Sequence, residues 1–431
     1  MTTRILLLSF YYAPDLSAGS FRAEALVKAL RAEHGEFVEI EVITTQPNRY
    51  HSYKESAGSV ERSAQLTIHR IDVPGHRSGI RDQARAFASF AIGALRLTRG
   101  RKYDLIFATS SRLMTASLGA LLARRIGCGL YLDIRDIFVD TLREVLPPRW
   151  GRLATSVFWP IERWTIGKAS RVNLISPGFL PYFSTRYPGR EFTLYTNGVD
   201  DLFMAPTADQ PLLIGQDRPT RLEVVYAGNI GAGQGLDIIL PELAQKLTDK
   251  VVFHLIGAGS GLELLKAALA KAQVENVRIS SPMKREQLLK VYDQADILFL
   301  HLNNFKAFRR VLPSKLFEYA ATNKPIWGGL SGYAGRFAQK QIKNIALFAP
   351  CDAQGAIEAL ERLRLETTPR QDFVEAFSRQ RIKAMMAKDV LQMSSKYLAR
   401  SSASKAELIN GPVFESDGEQ GALSKLSSRL S

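Results

Sequence analysis

Apolar runs of strand length alternate with helix-length segments along most of the chain, and this alternation restricts the possible folds more than any other feature. Apolar strands connected through helices are typical of a parallel sheet that is covered on both faces. We therefore predict an α/β domain over residues 1–204, in which ligands bind beyond the carboxyl ends of the strands. Its predicted strands are Arg4–Ser9, Val38–Thr44, Leu66–Ile71, Leu105–Thr109, Leu130–Ile134, Val172–Ser176 and Phe192–Thr196.

The alternation stops at residues 205–220, which lack periodicity and are predicted to be a linker. It then restarts and predicts a second doubly wound domain over residues 221–370. Residues 371–399 are expected to form one or two helices that pack back toward the first domain, and the Ser-, Gly- and charge-rich residues 400–431 to be disordered. The predicted strands of the second domain are Glu223–Ala227, Val251–Ile256, Val277–Ser280, Asp296–Leu300 and Ile326–Gly328.

The 431 residues carry a formal charge of +15, which favours an anionic partner such as nucleic acid, a membrane surface or a phosphorylated small molecule. The sequence has no recognition helix, zinc module or RNA-binding signature, so we do not predict nucleic acid as a partner. Two cysteines without a CxxC spacing fit a reducing cytosol. No run reaches the ~18 apolar residues of a membrane-spanning helix, and the apolar amino-terminal run is predicted to be a strand rather than a signal peptide.

The segment PSKLFEYAATNKP predicts a short helix with an electropositive start. Ser314 is placed to cap it, and a helix start presents N–H donors that suit a phosphate. Arg309, Arg310 and Lys315 lie near the same end, and Glu318 lies one turn further on, where a carboxylate suits a ribose diol. These features predict a site for a nucleoside diphosphate. An ordinary amphipathic helix with a charged surface is the alternative.

Two glycine clusters follow strands of the second half. One, YAGNIGAGQG, contains Asn229, Gly231 and Gln234, and the other, GAGSG, begins at Gly257. Glycine lets backbone approach a ligand closely, although a tight strand-to-helix turn needs it as well. Neither cluster has the dinucleotide spacing GxGxxG, which weakens a nicotinamide or flavin interpretation.

Two loops of the first half are further candidates. YYAPDLSAGSFR, which contains Gly19, can admit a sugar or phosphate at a helix start, or can simply be a loop capped by Ser20. LDIRDIFVD ends a buried strand with Asp133, Arg135 and Asp136, which we predict to orient sugar hydroxyls, one carboxylate serving as a general base. The sequence contains no Asp-x-Asp, and its six histidines are dispersed, so no metal site is predicted.

Two segments, residues 80–101 and 150–168, mix arginine or lysine with aromatic and aliphatic residues. Basic amphipathic helices with aromatic side chains suit an anionic membrane leaflet. The alternative is a pair of core-facing helices with solvated backs.

Together, YYAPD…GS, YAGNIGAGQGLD, LIGAGSGLELL and PSKLFEYAATNKP resemble family 4 of the retaining glycosyltransferases over most of the chain. PSKLFEYAA, YAGNIG and LDIRD are most similar to bacterial enzymes of O-antigen and capsule assembly, including the N-acetylfucosamine transferase type. The resemblance implies the α/β GT-B fold, with two doubly wound Rossmann-like domains facing across a cleft. It also implies a nucleotide-sugar donor, no essential metal, no cofactor beyond the substrate, and retention at the anomeric carbon.

By position, Glu318 matches the second acid of the E-x7-E motif of that family, which binds ribose, whereas Arg310 replaces the first. Gln234 stands where the family usually has lysine, and Arg135 where it has a strand-end histidine. Lys315 and the neighbouring arginines are candidates to supply the missing charge.

Pro282 and Met283 lie where the family usually places the loop that contacts the base. The resemblance thus implies a cytoplasmic enzyme at the inner face of the bacterial plasma membrane. It would move a sugar, such as a UDP-linked N-acetylated deoxyhexose, to a polyprenyl-diphosphate-linked glycan of lipopolysaccharide, capsule or exopolysaccharide. Two alternatives remain: a nucleotide-sugar 2-epimerase of the same fold, and a non-catalytic sugar-nucleotide-binding subunit of an assembly complex.

Overall fold

The computed structural model describes residues 2–48, 57–74, 80–110, 113–203 and 221–394; the predicted linker at 205–220 and tail at 400–431 lie outside these residues. The chain divides into two compact units. The first runs to Thr196 and includes residues 380–394, and the second spans Asn197–Arg379.

The first unit contains eight described strands and seven helices. Its strands are β1 (Thr3–Leu8), β2 (Val38–Thr45), β3 (Val60–Ser63), β4 (Leu66–Ile71), β5 (Leu105–Ser110), β6 (Gly129–Ile134), β7 (Arg171–Leu174) and β8 (Phe192–Thr193). Its helices are α1 (Ala18–His34), α2 (Ile80–Leu97), α3 (Leu113–Ile126), α4 (Phe138–Val145), α5 (Pro148–Lys168), α6 (Leu180–Arg186) and, from the end of the chain, α14 (Arg379–Gln392).

The strands of the first unit form one sheet in the order β3-β4-β2-β1-β5-β6-β7-β8. All pairs are parallel except β3 with β4. Helices α1 and α14 pack on one face of the sheet through Leu26, Leu30, Met386 and Val390. Helix α3 packs on the other face, where Gly119 meets Ala108 and Leu130, and it contacts both α2 and α5.

The second unit contains six strands, β9 (Leu222–Asn229), β10 (Val251–Ala258), β11 (Val277–Ser280), β12 (Ile297–His301), β13 (Ile326–Gly329) and β14 (Ile345–Phe348). Its helices are α7 (Leu236–Lys246), α8 (Leu262–Lys271), α9 (Arg285–Gln294), α10 (Ser314–Ala321), α11 (Gly332–Gln341), α12 (Ala353–Arg362) and α13 (Gln371–Ala376). The sheet is parallel throughout, in the order β11-β10-β9-β12-β13-β14.

The structure places the edges of the two units differently from the boundaries predicted at 204 and 370. Residues 197–203 belong to the second unit because Asp200 accepts hydrogen bonds of 2.5 Å from both Arg285 and Arg379. Helix α13 also lies in the second unit, whereas α14 packs in the first. The segment predicted as terminal helices is therefore divided between the units.

No helix within the described residues combines the length and the apolar character needed to cross a membrane.

Candidate functional site

The loop after β9 folds around the side chain of Gln234. Its Oε1 accepts hydrogen bonds from the Asn229 side chain at 2.9 Å and from the Gly231 backbone at 3.2 Å. Gly235 then starts α7 with a φ of +60°, a conformation that favours glycine. Asn229, Gly231 and Gln234 thus lie together in one loop, in which the Gln234 side chain is the internal acceptor. Their predicted role in donor binding stays a prediction.

The second glycine cluster packs against the first. A Cβ atom at Gly257 would lie 1.9 Å from the Gly228 carbonyl oxygen, and one at Gly259 would lie 2.2 Å from the Ile230 carbonyl oxygen. The group that approaches Gly257 closely is therefore neighbouring backbone, which explains this glycine without a ligand. Its predicted contact with the donor has no support in these distances.

A histidine and an asparagine that the sequence did not single out hold the first glycine loop in place. His301 Nδ1 donates to the Gln234 carbonyl oxygen at 2.5 Å, and its Nε2 accepts from the Cys351 backbone at 2.9 Å. Burial lowers the pKa of His301 to about 4, although the Gln234 carbonyl acts in the opposite direction. The ring is therefore neutral near pH 7. Asn303 adds a hydrogen bond of 2.7 Å to the Ala232 carbonyl oxygen.

Helix α10 begins at Ser314, one residue earlier than a cap at Ser314 would place its first helical residue. Pro313 occupies the N-cap position and Ser314 is the first helical residue, with no side-chain cap hydrogen bond. The prediction that Ser314 caps the helix is therefore wrong: proline before it holds the extended backbone that the N-cap requires. The start of α10 keeps backbone N–H groups directed out of the helix, which suits an anion.

Lys315 and Glu318 form an ion pair on α10. Lys315 Nζ lies 2.7 Å from Glu318 Oε2 and 3.3 Å from Tyr292 Oη. Only 5% of Glu318 is exposed. Burial by itself would lower the pKa of Lys315, but the Glu318 carboxylate outweighs it and the pKa is raised. The lysine is thus a cation, and the carboxylate predicted to bind ribose already has a positively charged neighbour.

The other predicted donor residues of this unit lie on turns. Arg309 and Arg310 end a short 3₁₀ turn before α10, with Arg309 exposed and donating to the Asn304 side chain at 3.2 Å. Pro282 and Met283 lie half-buried in the loop between β11 and α9. These loops follow β12 and β11 of the same parallel sheet, so they share its carboxyl-end edge with the glycine loops.

In the first unit, Asp133 and Arg22 form a salt bridge in which both side chains are buried. Both carboxylate oxygens accept from the guanidinium at 2.8 Å, and Asn173 donates a further bond of 2.8 Å. Burial would raise the pKa of Asp133, but Arg22, with help from Lys383 and Asn173, holds it well below its usual range. With 1% of its surface exposed, Asp133 does not face a substrate. Its geometry indicates a structural role in place of the predicted catalytic one.

Arg135 and Gly19 lie against each other. Helix α1 begins at Ala18, with Ser17 as its N-cap accepting from the Ser20 backbone at 3.1 Å, so the alternative in which Ser20 caps this helix is also wrong. Gly19 therefore lies in the first helical turn, where a Cβ atom would be 2.1 Å from Arg135 Nη1. Glycine at this position lets the guanidinium lie across the start of α1.

Asp136 is exposed but borders a small recess that Ser110, Glu162 and Phe183 also line. Desolvation by the surrounding protein raises the pKa of Asp136 to about 6, with Arg135 acting in the opposite direction. Solvent contact at the exposed side works against any larger rise. Its environment differs sharply from that of Asp133, and a carboxylate that titrates near neutral pH is suited to proton transfer.

Glu162, a second carboxylate of this recess, lies on α5 and was not predicted. It accepts hydrogen bonds from the hydroxyl groups of Tyr182 at 3.2 Å and Tyr187 at 2.8 Å, and burial raises its pKa. Within the described residues, no group of three His, Cys, Asp or Glu side chains is arranged to hold a metal ion.

Residues 19–193 match a family described as glycosyl transferase 4-like domain. A comparison with curated proteins gave no match. The chain is similar to the crystal structure of HepE from Anabaena in complex with UDP and glucose, with 15% identity, coverage of 93% of this chain and 100% of that one, and a TM-score of 0.56.

It is also similar to the catalytic domain of starch synthase IV from Arabidopsis thaliana bound to ADP and acarbose, with 14% identity, 93% and 100% coverage and a TM-score of 0.57. A third similar structure is WaaG, a glycosyltransferase involved in lipopolysaccharide biosynthesis, with 14% identity, 93% and 100% coverage and a TM-score of 0.53. These similarities confirm the α/β, Rossmann-like fold class predicted from the sequence, that of GT-B glycosyltransferases.

Proposed function

We propose that this chain is a retaining glycosyltransferase that takes a sugar from a nucleoside diphosphate donor. The observation that carries the proposal is the start of α10. There, outward-directed backbone N–H groups and the cationic side chain of Lys315 lie within one helical turn of a buried carboxylate, Glu318. The match of residues 19–193 to a glycosyl transferase 4-like domain and the similarity to structures that contain UDP or ADP support it.

Donor binding would rearrange the Lys315–Glu318 ion pair. In this proposal the ribose hydroxyls donate to Glu318, while Lys315 turns to the diphosphate and keeps a negatively charged partner. Arg309 and Arg310, five and four residues before the helix begins, add positive charge, and Arg310 stands where the family resemblance places an acid. These cations, rather than a metal ion, would stabilise the departing diphosphate.

Transfer would proceed with attack on the same face of the sugar that the diphosphate leaves. The acceptor oxygen forms a bond to the anomeric carbon as the bond to the diphosphate oxygen breaks, and the departing phosphate takes the acceptor proton. No protein nucleophile is needed. Arg135 and Asp136 of the first unit would contact the sugar or acceptor, and Asp133 would position the end of β6 that carries them.

The finer assignments rest on the sequence resemblance. They are a UDP-linked, N-acetylated deoxyhexose as donor and a polyprenyl-diphosphate-linked glycan as acceptor, in the assembly of lipopolysaccharide, capsule or exopolysaccharide at the inner face of the plasma membrane. The UDP in the HepE structure supports uridine as the base, and the role of WaaG in lipopolysaccharide biosynthesis supports the pathway class.

A thermal-shift screen of nucleotide sugars tests the donor site, because a ligand selective for the native state raises the melting temperature. Glu318→Gln should weaken donor binding by about 10- to 100-fold, since a hydrogen bond to a charged group contributes about 1.5–3 kcal/mol. The matched control is Glu263→Gln, which also alters a Lys–Glu pair three residues apart, but on the exposed surface of α8.

The melting temperature without ligand, measured for both variants, separates lost binding from lost folding. Full donor binding and transfer by a folded Glu318→Gln protein would exclude the ribose role. Loss of transfer on addition of a chelator, restored by a divalent cation, would contradict metal independence.

A further inference from the structure

Helix α2 presents a stripe of arginines to solvent. Arg81, Arg85, Ile92 and Arg96 are all exposed and recur at spacings of about one turn or its multiples, which places them along one side of the helix. The opposite side is buried through Phe90, whose ring lies 5.3 Å from that of Phe10. The stripe is therefore the outward face of a helix already packed on the sheet.

Helix α5 presents large apolar side chains to solvent. Trp150 is 64% exposed, Trp159 is 41% exposed, and Leu153 and Val157 are each more than half exposed. The other side of the helix packs inward, where Thr165 and Ser117 of α3 lie 2.9 Å apart. Trp150, Leu153 and Val157 follow one another at three and four residues and so share one side of α5, whereas Trp159 lies on the opposite side. Three large exposed apolar side chains along one side of a helix exceed what scattered surface residues explain.

Basic side chains surround these apolar residues. Arg149, Arg152, Arg163 and Lys168 are exposed on α5, and Arg163 lies 5.5 Å from the Trp159 ring centroid. Helix α3, which contacts both α2 and α5, adds exposed Leu121 and ends in exposed Arg124 and Arg125.

Acidic side chains on the same three helices do not offset this charge. The only two are Asp82, which is half-buried, and Glu162, which faces inward to two tyrosine hydroxyls. We call this surface, formed by the exposed residues of α2, α3 and α5, the α2–α3–α5 face. It combines a single sign of charge with tryptophan and aliphatic side chains.

We propose that the α2–α3–α5 face docks the protein on the surface of an anionic lipid bilayer. Arginine and lysine would contact the lipid phosphates, while Trp150, Leu153 and Val157, which share one side of α5, enter the interfacial layer, which tryptophan favours. This inference deepens the proposed function, because it names the surface that would bring a lipid-linked acceptor within reach.

Two other partners of the α2–α3–α5 face, a second copy of the chain and a nucleic acid, fit it less well. A second copy of the chain, docked through the same patch, would bring two arginine-rich surfaces together and leave their charges unpaired. A nucleic acid would be attracted by the charge but would gain little from Leu153 and Val157, which are aliphatic and cannot stack on bases as aromatic side chains do. A bilayer is the partner that uses both properties at once.

The test is flotation of the full chain with vesicles of phosphatidylcholine alone or of equal parts phosphatidylglycerol and phosphatidylcholine. We expect binding to the anionic vesicles that falls with added salt, since ions screen exposed charges. Arg149→Glu with Arg152→Glu should lower the partition coefficient by more than about 25-fold, fivefold or more for each residue. Lys271→Glu with Lys340→Glu, exposed lysines of the second unit, changes the net charge equally and should bind as wild type.

Trp150→Ala with Leu153→Ala should lower partitioning by about tenfold or more. Phe37→Ala, which removes an aromatic side chain that is 59% exposed outside the three helices, is its control. Failure of the wild type to float with anionic vesicles overturns the proposal. Equal losses in the Lys271/Lys340 control, or a dimer in sedimentation that only the Trp150/Leu153 variant dissociates, would overturn it as well.

The same preparations are screened for a thermal shift with nucleotide sugars. Protein that responds to a nucleotide sugar but does not float refutes the docking face alone. Protein that floats without any such response refutes the donor site alone.

Discussion

Replacing Asp133 by Asn should destabilise the first unit rather than remove a catalytic group. Two unit charges about 4 Å apart attract by about 4 kcal/mol at an effective dielectric constant of 20, and breaking a buried pair typically costs about 3–5 kcal/mol. Arg22 would keep its hydrogen bonds to the carbonyl oxygens of Tyr195 at 2.6 Å and Thr196 at 2.7 Å. We therefore expect the lower end, about 3 kcal/mol, or roughly a 100-fold change in the folding equilibrium.

The assay is urea unfolding followed by hydrogen exchange of the β6 amides, because exchange reports the first unit separately from the second. Asp136→Asn is the matched control: the same chemical change, three residues away, at an exposed carboxylate. It should not lower the free energy of unfolding, because the folded protein raises the pKa of Asp136 and so disfavours its charge.

The pH dependence gives a second readout. Because the folded protein holds the pKa of Asp133 below its usual range, the stabilisation is complete above the unfolded pKa of about 3.9 and is lost as pH falls toward the folded pKa. The wild type should therefore lose more stability below pH ~4 than Asp133→Asn does. An Asp133→Asn protein with wild-type unfolding in urea but abolished transfer would refute the structural role and restore the catalytic one.

If transfer requires the ionised Asp136 carboxylate, kcat/KM of the wild type should fall below about pH 6, and Asp136→Asn should abolish this fall. An unchanged pH profile in the variant would show that Asp136 takes no part in the reaction. The second unit should lose stability as pH falls from about 6.5 toward 4, because unfolded His301 takes up a proton that the buried ring resists; calorimetry should show a smaller loss in His301→Gln. Gly257→Ala should lower the free energy of unfolding by about 1–3 kcal/mol, because the added Cβ would clash with the Gly228 carbonyl oxygen. Gly167→Ala is the control: no atom lies within 4 Å of its Cβ position, so urea titration should show no loss of stability.

The sequence predicted the parallel sheets well because their central strands are buried on both faces and therefore read as continuous apolar runs. Leu66–Ile71 and Val277–Ser280 have the predicted bounds, and most others differ by one or two residues at an end. Two edge strands were missed. β3 has the sequence VERS and is exposed along its length, and β14, IALF, is a four-residue run. An exposed strand such as β3 has no buried face that would require an apolar pattern. An edge position alone does not hide a strand, since β11, at the edge opposite β14, was predicted correctly.

The glycine clusters show a different limit. Their composition correctly indicated that another group approaches the backbone closely after β9 and β10. A glycine in the sequence does not show whether that group is a ligand or another loop. At Gly257 it is the Gly228 carbonyl oxygen. His301 and Asn303 hydrogen-bond the first glycine loop to the end of β12, and they lie more than 60 residues further along the chain than that loop. No local pattern marks such contacts, although a histidine at the end of a buried strand is a signal worth weighing.

The end of β6 shows why charged residues that cluster in sequence need not form one site. Successive side chains of a strand point to opposite faces, so Asp133 shares the face of Tyr131, which α1 and α14 cover. Its countercharge, Arg22, lies 111 residues earlier on α1, and only the sheet topology brings the two together. Arg135 and Asp136 follow the last residue of β6, so the alternation of the strand no longer fixes the direction of their side chains. Arg22 pairs with Asp133 instead. Their side chains, rather than that of Asp133, are therefore the ones that remain available to a substrate.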